Sequence, residues 1–169
     1  MDKTTPPDDR QLHDIAREVG EILGSHGQTL ATAESCTGGW IGKTLTDVAG
    51  SSSWFDCGIT AYSYEAKEAL LGVRPETLLK HGAVSEPTVL EMVSGALTHS
   101  GASVAVAVTG IAGPAGGTHD KPVGTVWVAW KRRGGYPTMQ QFAFDGDRDA
   151  VRRHTVMAAL VGLRKILTS

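Results

Sequence analysis

Hydrophobic periodicity changes from helical to strand-like and back within the first third of the chain. Apolar residues three or four positions apart predict a first helix, capped by Asp8 or Asp9 and ending near His26; they are Leu12, Ile15, Val19, Ile22 and Leu23. Residues 29–34 then predict a strand. A helical pattern returns at Thr37 and extends to about Val48. A strand therefore leads through a tight turn directly into a helix.

The same alternation continues along the rest of the chain. The pattern predicts a loop at 51–53, a strand at 54–63, helices at 64–71, 76–81 and 86–100, strands at 103–109, 124–131 and 139–144, and a last helix from about Asp147. Helices alternate with strands early, and two adjacent strands come late. We therefore predict an α/β fold: a single-domain three-layer sandwich with a mixed sheet flanked by helices. Residues 10–169 are assigned to this domain and residues 1–9 to a disordered N-terminal tail.

Composition and charge argue against several classes of function. The 169-residue chain has a formal net charge of -2, which gives no overall attraction to nucleic acid or to an anionic membrane. The N-terminus lacks the apolar core of a signal peptide, and no apolar run is long enough to span a bilayer, so we expect a cytoplasmic protein. The two cysteines form neither a CxxC motif nor a disulfide framework, and HExxH is absent. We expect no metal and no cofactor.

The turn after the first strand is the strongest candidate for chemistry. It reads Ser35-Cys36-Thr37-Gly38-Gly39. A nucleophile at such a turn lies beside the unpaired N–H groups of the next helix's first turn, which could hold an acyl oxyanion. The glycines let a ligand approach the backbone closely. Ser35 could instead be only a helix cap, and Cys36 is a competing nucleophile without a neighbouring histidine in the sequence.

A serine nucleophile also needs a base. Lys43 lies on the same predicted helix, about 12 Å of rise away, which is too far for a hydrogen bond. The base must come from another segment. Spacing alone leaves it open among Lys67, Lys80, Lys121 and the six histidines.

Two further segments could contact a ligand. The loop that begins with Thr109 and Gly110 and includes Gly113 is glycine-rich, but no helix follows it, so the dinucleotide-binding interpretation fails. It could contact a phosphate or a ring, or it could be a flexible connector. Arg148 lies at the start of the last helix, where a cation is unfavourable for the helix dipole, and this suggests contact with an anion.

The segment at 33–39, Ala-Glu-Ser-Cys-Thr-Gly-Gly, resembles the signature of the CinA C-terminal domain family. Further similar segments lie at 61–67, 70–73, 82–85, 109–114, 121–126 and 144–148. The similarity covers roughly residues 10–167, nearly the whole chain. Departures from the family pattern are Tyr64 in place of a common asparagine, Ala115 in place of glycine and His119 in place of proline.

The resemblance implies hydrolysis of nicotinamide mononucleotide to nicotinic acid mononucleotide and ammonia, without a metal. It implies Ser35 as nucleophile, Lys67 as its partner and Tyr62 as an assisting group. We expect the nucleotide to contact Cys36, Thr37, Gly38, Gly39, Thr109, Gly110, Gly113 and Arg148. The expected partner is this small molecule, not nucleic acid or membrane, and a homo-oligomer is left open. The alternatives are a non-catalytic interaction protein related to competence or DNA damage, and an amidase for another small amide.

Overall fold

The structure, a computed structural model, describes residues 5–169. Its centre is a five-stranded sheet in the order β2-β1-β3-β4-β5. These strands are β1 (Leu30–Glu34), β2 (Phe55–Thr60), β3 (Val104–Gly110), β4 (Thr125–Arg132) and β5 (Thr138–Ala143). The first three are parallel, while β4 and β5 are antiparallel to their neighbours. The predicted mixed sheet is confirmed.

Six helices cover the two faces of the sheet. They are α1 (Asp9–Ser25), α2 (Trp40–Thr46), α3 (Tyr64–Leu71), α4 (Pro75–His81), α5 (Glu86–Thr98) and α6 (Arg148–Leu167). Hydrophobic residues of α1, α2 and α6 share one core with one face of the strands, and those of α3, α4 and α5 share a second core with the other face. The predicted three-layer sandwich is therefore confirmed as well.

The central strands supply side chains to both cores. Along β1, Leu30 packs toward α1, α2 and α6, whereas Ala31 and Ala33 pack toward α5. All five residues of β1 are buried, as expected for a parallel strand covered on both faces. Small residues on the α5 side allow close packing: a Cβ on Gly95 would lie 1.8 Å from the carbonyl oxygen of Leu71.

Several element boundaries differ from the prediction. Helix α2 begins at Trp40 rather than at Thr37, because Gly38 and Gly39 have left-handed φ angles of +61° and +95° that no helix accommodates. Strand β2 ends at Thr60 rather than at residue 63. Residues 51–53, predicted as a loop, form a single 3-10 turn.

The N-terminal segment is described in part. Residues 1–4 of the predicted tail lie outside the described residues. The side chain of Asp8 accepts a hydrogen bond from the Gln11 amide at 2.8 Å and so caps α1, which begins at Asp9. Within residues 5–169, no helix is both long and apolar enough to cross a bilayer.

Candidate active site

Three chain segments meet where the parallel strands end. The amide of Ser35 donates to the carbonyl of Val108 at 3.1 Å, and the amide of Ala61 donates to the carbonyl of Glu34 at 2.9 Å. Since β1 lies between β2 and β3, its carboxyl end is flanked by the segments that follow both neighbours. The turn that follows β1 is therefore in contact with residues 61–67 on one side and with residues 108–110 on the other.

Lys67 lies directly against Ser35. Its Nζ is 2.9 Å from Ser35 Oγ and also donates to the carbonyl of Ala61 at 2.9 Å. Lys67 is only 1% exposed, and among residues 5–169 no carboxylate forms an ion pair with it. Burial therefore lowers the pKa of Lys67 below its usual range, since the charged form loses its hydration. A neutral amine at this position could accept the hydroxyl proton of Ser35.

The neighbouring thiol is in a less favourable environment for a nucleophile. Cys36 is 5% exposed, and burial, followed by the charge of Glu34, raises the pKa of its thiol to about 12. A thiolate is the reactive form of cysteine, and this environment disfavours it. The geometry thus favours Ser35 over Cys36.

Only part of the expected oxyanion site is open to a substrate, because some amides at the start of α2 already have a partner. The amides of Gly39, Ile41 and Gly42 donate to the buried carboxylate of Glu34 at 3.1, 3.0 and 2.8 Å. Because this carboxylate occupies the N-terminus of α2, those amides are unavailable to a substrate. Among residues 5–169, no backbone carbonyl accepts from the amides of Cys36 and Thr37, so they are the donors left at the turn.

Sequence reasoning missed Glu34 as a functional candidate, although a signal was present. An acidic residue closes an otherwise small and apolar strand just before a Gly-Gly turn. It also missed Arg152, whose guanidinium donates to the carbonyls of Cys36 and Thr37 at 3.2 and 2.9 Å. Arg152 comes from α6, far along the chain, and no local pattern marks it.

The side chain of Arg148 links the segments that follow β2 and β3. Arg148 donates to the carbonyl of Gly113 at 2.7 Å and to the hydroxyl of Tyr62 at 2.9 Å. Tyr62 is 59% exposed, and Arg148 is also exposed. The structure therefore brings the predicted Tyr62, Gly113 and Arg148 together at the surface.

Thr109 and Gly110 lie close to the same turn but are internally engaged. Thr109 is buried, and its hydroxyl donates to the carbonyl of Ala83 at 2.9 Å. A Cβ on Gly110 would lie 2.7 Å from Val126 Cγ2 and 3.2 Å from Cys36 Sγ, so the close packing explains the glycine. Tyr64 reaches the same region, since its hydroxyl accepts from the Ala83 amide at 3.3 Å.

The other charged candidates have different partners. Lys43 is exposed and pairs with Asp47 at 2.6 Å, as expected for a solvated side chain. Lys121 donates to the carbonyl of His81 at 2.7 Å. Within residues 5–169, no three His, Cys, Asp or Glu side chains are grouped so that they could hold a metal ion.

Fold and site together define a class: an α/β domain with a buried serine–lysine pair where the parallel strands of its sheet end. Similarity to known proteins identifies the family within this class. Residues 12–167 match the CinA C-terminal domain, and the chain belongs to that family, which confirms the resemblance noted in the sequence.

Named relatives and solved structures support this placement. Over 152 residues, the chain is 53% identical to the nicotinamide-nucleotide amidohydrolase PncC of Escherichia coli K12, covering 90% of this chain and 92% of the relative. It is 51% identical to the protein of the same name from Pseudomonas putida, covering 91% and 96%. The crystal structure of a competence/damage inducible protein from Agrobacterium tumefaciens superposes with a TM-score of 0.92 at 43% identity, covering 98% and 99%.

Proposed function

We propose that this protein hydrolyses the carboxamide of nicotinamide mononucleotide, releasing ammonia and nicotinic acid mononucleotide. The observation that carries the proposal is the 2.9 Å contact between Ser35 Oγ and Lys67 Nζ in a buried setting. No carboxylate of the described residues pairs with Lys67. A serine–lysine pair of this kind suits acyl transfer from an amide. The substrate is inferred from the relatives named nicotinamide-nucleotide amidohydrolase, which match over most of their length.

The reaction follows from the protonation state of Lys67. The neutral amine takes the hydroxyl proton of Ser35 as Oγ attacks the amide carbon. The resulting ammonium returns that proton to the departing nitrogen as the carbon–nitrogen bond breaks, so ammonia leaves and Ser35 carries an acyl ester. Lys67 then deprotonates a water molecule that attacks the ester. The carboxylic acid is released, and the proton returns to Ser35.

Other groups of the site have supporting roles in this scheme. The amides of Cys36 and Thr37 are proposed to donate to the oxyanion, since no backbone carbonyl in the described part of the chain accepts from them. Gly38 and Gly39 add no side chains to the turn, and Thr109, Gly110 and Gly113 are proposed to line the opposite side of the substrate site. Arg148 is proposed to bind the phosphate, and Tyr62, held by Arg148, to orient the substrate near Ser35.

The proposal is tested by supplying the purified protein with nicotinamide mononucleotide. Ammonia release with stoichiometric formation of nicotinic acid mononucleotide, measured by coupled assay and mass spectrometry, supports it. Ammonia from another small amide, with none from the nucleotide, would favour the alternative amidase. No ammonia from any carboxamide in a panel would favour the non-catalytic interaction protein.

Replacing Arg148 with methionine should raise the KM for the nucleotide by about 10- to 100-fold. A charge-assisted hydrogen bond contributes roughly 1.5–3 kcal/mol, and the substitution removes the proposed phosphate contact. Nicotinamide riboside lacks the phosphate, so its kcat/KM should fall much less, by only the part that comes from releasing Tyr62. Arg10→Met, at an exposed arginine on α1, is the matched control. Equal losses on nucleotide and nucleoside would contradict the phosphate role.

Replacing Tyr64 with asparagine, the residue common in the family, should preserve or raise turnover. The asparagine is too short to reach Ala83, so one 3.3 Å hydrogen bond at a partly exposed position is lost. A surface change of this kind shifts stability by roughly 0.5 kcal/mol. Tyr64→Phe, which removes only the hydroxyl, separates the hydrogen bond from the ring. A collapse of kcat at unchanged melting temperature would show that Tyr64 has its own functional role.

A further inference from the structure

We propose that Glu34 is a positioning residue for the reaction: its buried carboxylate clamps the middle and the end of the turn that carries Ser35. The inference rests on the proposed role of Ser35 as nucleophile. Glu34 immediately precedes Ser35, and its carboxylate is not placed to contact Lys67. It would act through the backbone of residues 35–39 rather than on the substrate.

The carboxylate of Glu34 receives five hydrogen bonds. Its Oε2 accepts from Thr37 Oγ1 at 2.6 Å and from the amides of Gly39 and Ile41 at 3.1 and 3.0 Å. Its Oε1 accepts from the amide of Gly42 at 2.8 Å and, more weakly, from Thr32 Oγ1 at 3.4 Å. All the lone pairs of the group are used, and Glu34 is 1% exposed.

This arrangement exceeds what is needed to cap a short helix. On α3, the hydroxyl of Ser63 alone caps the N-terminus through the amide of Ala66 at 3.0 Å. At α2, a carboxylate is instead buried, and among residues 5–169 no lysine or arginine forms an ion pair with it. Burying a carboxylate is costly unless donors surround it. Here the donors are the turn itself, so the charge fixes the shape of the turn.

The clamp sets the geometry of the reacting groups. The Oε2 atom of Glu34 holds Thr37 in the middle of the turn, together with Gly39 and Ile41 at its end. Within the turn, the amide of Gly38 donates to the carbonyl of Ser35 at 3.0 Å. Arg152 holds the carbonyls of Cys36 and Thr37 from the side of α6. The orientation of Ser35 and of the amides of Cys36 and Thr37 is thereby fixed before substrate arrives.

The side chain of Glu34 points away from the substrate side of the turn. Successive residues of a strand face opposite sides of the sheet, so Glu34 faces α2 whereas Ser35 faces Lys67 on α3. Loosening the clamp should therefore displace Ser35 and the oxyanion donors without removing a substrate contact. The expected signature is a loss in kcat with little change in KM.

The experiment changes Thr37, whose hydroxyl forms the shortest of the hydrogen bonds to the Glu34 carboxylate. Thr37→Val keeps the side-chain shape and removes the bond, and kcat should fall about tenfold while KM stays within about twofold. Thr37→Ser keeps the hydroxyl and should restore kcat. Thr46→Val, at an exposed threonine that bonds only to backbone of its own helix, is the matched control and should leave kcat unchanged.

Glu34→Gln provides an independent measurement. The side-chain amide nitrogen of the glutamine is a donor and would face the N–H donors of the turn, so the turn would loosen. We therefore expect kcat to fall about 10²-fold, again at nearly constant KM. If both residues act through one clamp, adding Thr37→Val to Glu34→Gln should cause little further loss. Should Glu34→Gln fail to fold, the Thr37 pair still decides the question.

Three results would overturn the inference. One is a folded Glu34→Gln variant with wild-type kcat. Another is a Thr37→Val variant whose KM rises while kcat is unchanged, since this would mean that Thr37 contacts the substrate directly. The third is failure of Thr37→Ser to restore kcat. The Ser35→Ala variant separates this inference from the proposed function: if it retains activity, the nucleophile assignment fails, whatever Glu34 does.

Discussion

Replacing Ser35 with alanine should reduce ammonia release from nicotinamide mononucleotide by at least about 10³-fold, whereas Cys36→Ala should remain within a few-fold of wild type. The Ser35 hydroxyl lies 2.9 Å from the Lys67 amine, which can serve as its base. The Cys36 thiol is buried with a pKa raised to about 12, so its thiolate is scarce at neutral pH. Cys36→Ala also keeps the backbone amide proposed to hold the oxyanion.

The two alanine variants need a check on folding, because both residues are buried. Cys36→Ala removes a small apolar group from the core and should lower the free energy of unfolding by about 1 kcal/mol, which thermal melting can detect. Rapid quenching of the wild type with substrate, followed by peptide mass spectrometry, should find the acyl group on Ser35. An inactive Cys36→Ala beside an active Ser35→Ala, or an acyl group on Cys36, would make the assignment wrong.

The fold could be predicted well from the sequence because its elements have strong local patterns. The apolar run of β3 and the spacing of Val156, Leu160 and Leu163 on α6 reflect burial that the structure confirms. The boundaries of α2 and β2 were wrong for a different reason. Helix α2 begins and strand β2 ends beside the turn that carries Ser35, where the conformations of Gly38, Gly39 and residues 61–63 do not follow a periodic pattern.

Only part of the candidate site could be predicted from the sequence. The turn at Ser35 carries its own signal, because two hydroxyls, a thiol and two glycines interrupt an apolar strand. No local sequence pattern marks Lys67. It is 32 positions from Ser35 and reaches it only because β2 pairs with β1 and α3 then returns over the end of the sheet. Spacing left it among several lysines and histidines, and the family resemblance alone singled it out. The bridge between Tyr62 and Arg148 joins residues 86 positions apart, and it also depends on tertiary structure.

Lys67→Met should nearly abolish turnover, with a loss of at least about 10²- to 10⁴-fold, the usual range for a general base. The methionine fills a similar volume in the buried site but cannot accept the proton of Ser35. Lys43→Met is the matched control, because it makes the same substitution at an exposed lysine whose partner is Asp47. It should stay within a few-fold of wild type. Equal losses in the two variants would contradict the serine–lysine pair.

The pH dependence of the wild type provides a second test of Lys67. Burial lowers the pKa of Lys67 from its ordinary value of 10.5, and the amine is a base only when neutral, so kcat/KM should rise with pH through the lowered pKa and then level off. Between that pKa and 10.5 the unfolded chain binds more protons than the native protein, so the stability of the wild type should rise with pH. Lys67→Met should lose both trends: its residual rate should lack the rise, and its melting temperature should not follow the wild type across this window. If Lys67→Met kept the wild-type rate profile, another group would have to be the base.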